Sequence, residues 1–345
     1  MPVKTSKTFW IRVFGISCLF SMTAATYADI VMNPSSGQAN ISWSSEDVNN
    51  LLNDDVSHTE VSPPAAVSVT TTIRSGTAQV PANTVRIIDT SGYSNQPSVN
   101  AKAALVMDAQ TGEVLYSKNS NTSLPIASIT KLMTAVVIAD ARLNMSEEIT
   151  LLPSDFSCSG CKSSSSTLRA GDKMNRAEAL LFALMKSENP AASALARTYP
   201  NGRSAFIAAM NKKAKQLGML NTHYIESTGL HPENVSSARD LGILVTAASQ
   251  YGLIRQFSTT PTYDFNLGYR VLKSNNTNAL VRNGGWNINL SKTGYINEAG
   301  RCVVMHTTLK NRPAVVVLLG APTTQARNED AVSLMTWVSH LSKNL

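Results

Sequence analysis

A serine hydroxyl and a lysine amine are predicted to lie one helical turn apart, at Ser128 and Lys131. The run Pro125-Ile126-Ala127-Ser128-Ile129-Thr130-Lys131 is predicted to open a helix, and residues 134–141 are apolar almost throughout, which indicates a buried helix. Burial lowers the pKa of a lysine because it disfavours the charged form. A neutral amine could accept the serine proton, and the helix N-terminus would add backbone N–H groups where an oxyanion forms. The pair is therefore a candidate nucleophile and general base.

The Ser-x-x-Lys spacing alone does not establish this chemistry, because it recurs by chance. Ser159 and Lys162 form a second match, but they lie in a glycine-containing loop that fixes no helical geometry. For Ser128 and Lys131 the alternative is a helix cap whose lysine extends to solvent.

A second candidate group is Ser187-Glu188-Asn189, between an apolar helical run at 179–185 and Pro190. The hydroxyl of Ser187 would suit proton relay, and the amide of Asn189 would suit a substrate peptide. The alternative is purely structural, with Asn189 as helix N-cap and Pro190 as the first helical residue.

A third group, Lys292-Thr293-Gly294, follows the alternating, strand-like run 286–290. A strand edge can pair with an extended peptide. Lys292 would supply positive charge and Thr293 a hydroxyl, while Gly294 permits close backbone approach. The alternative is a strand that ends in a turn.

The elements that would position these groups have strands at both ends and helices between them. Short apolar runs predict strand pairs at 104–107 with 113–116 and at 302–308 with 314–319. Apolar residues at helical spacing predict a final helix at 330–341 and earlier helices at about 130–143, 175–186, 190–198, 203–217 and 237–250. This order predicts an α/β (α+β) fold, an antiparallel sheet backed by helices, in one catalytic domain at 99–345.

The N-terminal 28 residues have the pattern of a secretory signal. Lys4, Lys7 and Arg12 precede an uncharged run at 13–25, and Thr26-Tyr27-Ala28 ends in a small residue. An uncleaved anchor is the alternative, but the run is shorter than the about 20 residues that span a bilayer. We therefore predict a periplasmic protein, with no stable membrane anchor after cleavage. Residues 29–98, rich in Ser, Thr, Asn and Pro, predict a flexible leader.

Composition narrows the class of protein. The chain has 345 residues, of which 43% are hydrophobic and 15% charged, as in ordinary globular proteins. Its formal net charge of +7 includes three positive charges within residues 1–28. The remaining mild, scattered basicity does not support a nucleic-acid partner.

The cysteines are consistent with export. Cys158 and Cys161 could form a redox motif, half a metal site or a local disulfide. No second cysteine pair and no nearby histidine supports a metal, and an oxidising compartment favours the disulfide. Cys302 begins an apolar run and is expected to be a buried thiol. No metal and no cofactor are predicted.

Taken in order, the three triplets resemble the Ser-x-x-Lys, Ser-x-Asn and Lys-Thr-Gly set of penicillin-binding proteins and serine β-lactamases. Longer runs are similar to the low-molecular-mass D-alanyl-D-alanine peptidases of serine peptidase family S11, namely 125–135, 217–222, 228–230 and 237–240. The runs 287–294 and 299–302 look most like its endopeptidase subgroup, the penicillin-binding protein 7 type. The resemblance covers about 100–342 and departs at the Cys158–Cys161 loop and at Pro190.

The resemblance implies a role for each matching position. Ser128 would be the nucleophile and Lys131 its base. The side chains that would organise proton relay and substrate are Ser187, Asn189, Lys292 and Thr293. The backbone N–H groups of Ser128 and Tyr295 would form the oxyanion hole.

The resemblance also implies a fold and a reaction. The fold would be a five-stranded antiparallel sheet flanked by helices. The partners would be peptidoglycan stem peptides, cleaved through an acyl-enzyme that water hydrolyses, and β-lactam antibiotics as covalent inhibitors. An endopeptidase is favoured over a D-alanyl-D-alanine carboxypeptidase.

Two further alternatives stay open. A class A β-lactamase would use a Glu to activate water, and the chain has no Glu-x-x-Leu-Asn segment. A non-catalytic peptidoglycan-binding relative would be expected to have lost Ser128 or Lys131, and both are present.

Overall fold

The structure of the protein, a computed structural model, describes residues 88–89, 95–161 and 164–341. The predicted signal at 1–28, most of the predicted leader at 29–98, and Lys162 of the second Ser-x-x-Lys match lie outside these residues.

Twelve strands are found in the described residues. In chain order they are β1 Ile88–Asp89, β2 Ala103–Asp108, β3 Glu113–Lys118, β4 Leu124–Pro125, β5 Glu148–Thr150, β6 Lys173–Asn175, β7 Val235–Ser236, β8 Thr262–Asn266, β9 Val271–Asn275, β10 Asn287–Ile296, β11 Gly300–Leu309 and β12 Arg312–Ala321.

The helices of the described residues lie mostly between β4 and β10. The α-helices are α1 Thr130–Asp140, α2 Arg176–Leu181, α3 Asn189–Arg197, α4 Gly202–Gln216, α5 Ala238–Ala248, α6 Gly252–Thr259, α7 Ala279–Asn283 and α8 Thr324–His340. A 3₁₀ turn at Ala127–Ile129 leads into α1, a second lies at Pro153–Asp155, and a π-helical turn at Phe182–Lys186 extends α2.

The main sheet has the strand order β1-β3-β2-β12-β11-β10. Its five long strands pair antiparallel, so the predicted five-stranded antiparallel sheet is confirmed. The two-residue strand β1 adds a parallel edge beside β3 and was not predicted, because two residues carry no periodic pattern. β10 is the outermost strand at the other edge.

A hydrophobic core lies on each face of this sheet. The sequences of its central strands are therefore continuous apolar runs. Leu105 and Met107 of β2 belong to the core on the side of α1 and α5, whereas Val106 belongs to the core on the side of α8. Gly242 of α5 has no side chain to separate helix from sheet, and an added Cβ would lie 2.8 Å from the Leu105 side chain. Helix α5 thus packs directly on the sheet, and α1 packs against α5.

All five central helices and the final helix were correctly placed by periodicity, with shifted ends. The predicted helix at 175–186 contains the π-helical turn, and α8 begins at Thr324 rather than at 330. The hairpin β8–β9 and helices α6 and α7 were not predicted. The hairpin strands are exposed at alternate positions and carry few apolar residues, so they lack a strong pattern. No helix of the described residues is long and apolar enough to cross a membrane.

Candidate active site

Ser128 and Lys131 lie together at the junction of the 3₁₀ turn and α1. Ser128 Oγ is 2.9 Å from Lys131 Nζ. Lys131 is fully buried, because α1 is enclosed by the core over its first ten residues. The alternative of a lysine that extends to solvent is therefore wrong.

The backbone before Ser128 is held in an uncommon conformation. Ala127 has a φ of 49°, in the left-handed region that non-glycine residues seldom adopt. Such geometry persists only where the surroundings enforce it, and it often marks a functional site. Here it turns Ser128 out of the core, so that its hydroxyl lies at the half-buried end of a buried helix.

The Lys131 amine has two further close neighbours, both oxygen acceptors. Nζ lies 2.6 Å from Asn189 Oδ1 and 2.6 Å from the carbonyl oxygen of Thr228. A neutral amine has two N–H donors and one lone pair. Because the amide and carbonyl oxygens can only accept, they take both donors and leave the lone pair to the Ser128 hydroxyl.

The electrostatic surroundings of Lys131 suit a base. Burial lowers the pKa of Lys131 to about 7, and the carboxylates of Glu226 and Glu188 oppose that shift. A general base works best when its pKa is near the operating pH.

Ser187 and Lys292 meet on the other side of the site. Lys292 Nζ donates to Ser187 Oγ at 2.9 Å and to the carbonyl oxygen of Thr293 at 2.9 Å. Lys292 is buried, and burial followed by the positive charges of Lys131 and Arg327 lowers the pKa of Lys292 well below its ordinary value. Ser187 has a φ of 66° at the end of the π-helical turn, which projects the residue from the helix axis.

Asn189 is not the N-cap that the structural alternative required. Glu188 is the N-cap of α3, and Asn189 and Pro190 are its first two residues. The Asn189 amide instead spans the site, accepting from Lys131 and donating through Nδ2 to Ser164 Oγ at 2.8 Å.

Strand β10 passes directly beside the nucleophile at Gly294. A Cβ added to Gly294 would lie 2.9 Å from the Ile126 carbonyl oxygen and 3.1 Å from the Ser128 nitrogen. This contact brings Lys292, Thr293 and the Tyr295 backbone to the site. The Tyr295 ring is half exposed and stacks against the Arg301 guanidinium, 3.4 Å from the ring centroid.

The loop before β7 contributes Glu226, which was not singled out from sequence, beside the run 228–230, which was noted there for its resemblance. Glu226 accepts from the backbone N–H groups of Thr228 and Gly229, both at 2.5 Å, and from Asn234 Nδ2 at 2.9 Å. This carboxylate holds the Thr228 carbonyl in reach of Lys131. Glu226 lies far from the three motifs in sequence, so no local spacing could connect it with them.

Gly229 should tolerate no side chain. Its φ is +83°, and a Cβ would lie 1.9 Å from the Ala127 carbonyl oxygen. We expect Gly229→Ala to lower the free energy of unfolding by more than about 1 kcal/mol and to slow acylation at least about tenfold, since it displaces the backbone before Ser128. Thermal unfolding and penicillin acylation rates measure the two effects.

Gly218→Ala is the matched control. Gly218 has a φ of +77° but nothing within 4 Å of an added Cβ, so it carries the conformational cost without the clash. Equal behaviour of the two variants would contradict the predicted contact.

The structure joins Cys158 and Cys161 by a disulfide bond and buries Cys302 as a free thiol. Cys158 and Ser159 of the disulfide loop line a cavity of about 270 Å³. The cavity is also lined by Asn189, Thr228 and His231. Ser159 thus lines this cavity, but the hydrogen-bond partners of Lys131 are Ser128, Asn189 and Thr228.

Comparison with known proteins gives consistent matches. Residues 91–323 match the peptidase S11 family, described as D-alanyl-D-alanine carboxypeptidase. The chain is 46% identical over 254 residues to a D-alanyl-D-alanine endopeptidase of Pseudomonas aeruginosa, covering 72% of this chain and 80% of that protein. It is 44% identical to a D-alanyl-D-alanine endopeptidase of Escherichia coli, covering 71% and 79%. The crystal structure of the Streptomyces K15 DD-transpeptidase superposes with a TM-score of 0.65 at 28% identity, covering 72% of this chain and all of that one.

Proposed function

Because this chain belongs to the peptidase S11 family of D-alanyl-D-alanine carboxypeptidases, we propose that it is a serine DD-peptidase that cleaves D-alanyl crosslinks of peptidoglycan. The single observation that carries this proposal is the buried Lys131, whose amine lies 2.9 Å from Ser128 Oγ. A hydroxyl beside an amine that can be neutral is an activated nucleophile.

In the acylation step, Ser128 Oγ attacks the carbonyl carbon of a D-alanyl peptide bond while its proton passes to Lys131. The negative charge on the carbonyl oxygen is stabilised by the backbone N–H groups of Ser128 and Tyr295. The C–N bond then breaks, and the departing amine takes the proton that Lys131 accepted, relayed through Ser187, so that Lys131 is neutral again. An ester between Ser128 and the D-alanyl residue remains.

In the deacylation step, water replaces the departed amine. Lys131 takes a proton from the water as its oxygen attacks the ester carbon. The proton returns to Ser128 Oγ when the ester bond breaks, which restores the free enzyme and releases a carboxylate. A β-lactam follows the first step and keeps its amine tethered, so its acyl-enzyme persists.

The substrate peptide would lie along β10. This strand is the last of the main sheet at the side where Ser128 lies, and a strand edge can pair with an extended peptide. Lys292 would attract a substrate carboxylate, and Thr293 and Asn189 would hold the peptide by hydrogen bonds. Gly294 keeps the strand close to the nucleophile.

Endopeptidase cleavage is favoured over carboxypeptidase trimming, because two relatives above 40% identity are named D-alanyl-D-alanine endopeptidases. The test is digestion of purified sacculi, with products identified by mass spectrometry. We expect crosslinked muropeptide dimers to be converted to monomers. Loss of terminal D-alanine with intact dimers would make the protein a carboxypeptidase, and no change in either would contradict a DD-peptidase. Ser128→Ala protein is the control.

We place this activity in the periplasm, reached by the signal at 1–28, with β-lactams as covalent inhibitors. Sustained labelling by a fluorescent penicillin separates the leading proposal from its alternatives. A β-lactamase would release the label quickly, and a non-catalytic binding protein would never acquire it.

A further inference from the structure

Glu188 lies between Ser187 and Asn189 in the chain, and its carboxylate contacts a neighbouring loop at Ser166 and Thr167. The residue is 5% exposed. Its carboxylate accepts from Ser166 Oγ and Thr167 Oγ1, both at 2.5 Å, and from the Thr167 backbone N–H at 3.2 Å. A buried carboxylate with three donors from one short segment fixes that segment firmly.

The same segment, residues 164–168, contacts the site. Ser164 Oγ accepts from Asn189 Nδ2 at 2.8 Å, while Asn189 Oδ1 accepts from Lys131. An amide side chain can rotate by half a turn and exchange its oxygen and nitrogen ends. In the structure the Oδ1 end of the amide accepts from Lys131 Nζ while the Nδ2 end donates to Ser164 Oγ, so both ends of the side chain are held.

We propose that Glu188 is a positioning residue: its carboxylate holds the 164–168 segment against the site, and Ser164 of that segment orients the Asn189 amide toward Lys131. This inference rests on the proposed function, since it assigns Glu188 a part in acylation by Ser128. It identifies the middle residue of the Ser-x-Asn triplet as part of the apparatus that prepares the base.

Glu188 also acts on Lys131 by its charge. The charged groups that face Lys131 are Glu188 from the start of α3, Glu226 from the loop before β7 and Lys292 from β10. The negative charge of Glu188 raises the pKa of Lys131, against the lowering by burial. Removing that charge would favour the neutral amine at lower pH.

A second set of contacts, made by the β8–β9 hairpin, holds the loop 164–172, which contains the 164–168 segment. One of these contacts supplies a control. Tyr269 at the tip of the β8–β9 hairpin donates to Asp172 Oδ1 at 2.6 Å, and Arg270 donates to Asp172 Oδ2 and to the Thr167 carbonyl oxygen. Tyr269→Phe removes one anchor of the loop without changing any charge that faces Lys131.

The test is the rate of acylation by a fluorescent penicillin from about pH 5 to about pH 9, a range that brackets the titration of the base. The profile should have a plateau, the maximal rate reached when the base is neutral, and an acid limb, where the rate falls as the base is protonated. For Glu188→Gln we expect the plateau rate to fall about tenfold and the acid limb to move down by about one pH unit. Thr167→Val removes a donor to Glu188 but no charge, so it should lower the plateau and leave the limb in place. Tyr269→Phe should match the wild type in both. Thermal unfolding confirms that each variant is folded.

Three results would overturn the inference while the proposed function stands. If Glu188→Gln kept the plateau and the acid limb of the wild type, Glu188 would have no role in acylation. If the plateau fell while the acid limb did not move, the role of Glu188 would be merely structural. An equal loss in Tyr269→Phe would assign the effect to general loosening of the loop. Absence of acylation in the wild type would instead overturn the proposed function, and the inference with it.

Discussion

Replacing Ser128 by alanine is expected to abolish covalent labelling by penicillin and hydrolysis of peptidoglycan crosslinks. Loss of a covalent nucleophile typically costs about four to six orders of magnitude in rate, because the remaining groups have nothing to activate. The fold should be unchanged, because the half-buried hydroxyl is removed from a turn whose backbone is fixed by Gly229 and Gly294. Fluorescent penicillin labelling and thermal unfolding measure the two outcomes.

Persistent labelling of Ser128→Ala would place the nucleophile elsewhere. Ser159 is then the first candidate, since it belongs to the second Ser-x-x-Lys match and lines the cavity that reaches Asn189. Ser159→Ala is therefore the matched control, and we expect it to retain labelling at close to the wild-type level.

Replacing Lys131 by arginine is expected to abolish acylation about as completely as Lys131→Ala. Arginine keeps the positive charge but cannot lose its proton in a protein, so it cannot accept the proton of Ser128. It would also place a permanent charge where the native amine is fully buried. The measurement is the acylation rate by a penicillin reporter across pH for both variants.

The wild type should lose acylation on the acid side of neutrality. The pKa of Lys131 is lowered to about 7, so the neutral amine predominates above that pH and the charged, inactive form predominates below it. Well below pH 7 the rate should fall about tenfold for each pH unit, as expected for a single base.

Near wild-type acylation by Lys131→Arg would show that position 131 supplies charge rather than a base.

Lys292→Arg is the matched comparison, because Lys292 is also buried and is expected to serve through its charge. We expect it to retain part of the acylation rate. The repulsion between two ammonium groups is mutual, and the charge of Lys131 lowers the pKa of Lys292. The carboxylates of Glu226 and Glu188 act on the pKa of Lys131 in the opposite direction.

Much of the fold was accessible from sequence because its central elements are buried on all sides. The run of α1 is apolar since ten of its eleven residues lie in the core, and β2 is buried along its whole length. Helix periodicity and strand runs therefore carried a strong signal. The hairpin β8–β9 carried little, because its tip is held to the loop by the polar contacts of Tyr269 and Arg270 with Asp172.

The candidate site likewise contains residues that the sequence pointed to and residues that it did not. Ser128, Lys131, Asn189 and Lys292 belong to short motifs. Lys131 contacts Ser128 and Asn189, and Lys292 lies on the strand that passes beside Ser128 at Gly294. The Thr228 carbonyl contacts Lys131 across 97 positions of sequence, and Glu226 acts by holding the loop of Thr228 through local contacts, so no motif spacing points to either residue. Glu188 belongs to the Ser-x-Asn motif. Its hydrogen-bond partners in the 164–168 segment could not be predicted, because they depend on how the loop folds back.

The most direct test of the central claim is to locate the acylated residue. The full chain is incubated with benzylpenicillin, digested and mapped by tandem mass spectrometry. The mechanism predicts one penicilloyl ester, carried by Ser128 Oγ, in the wild type and none in Ser128→Ala. An ester on Ser159 or Ser187, or no covalent adduct in folded wild-type protein, would contradict it.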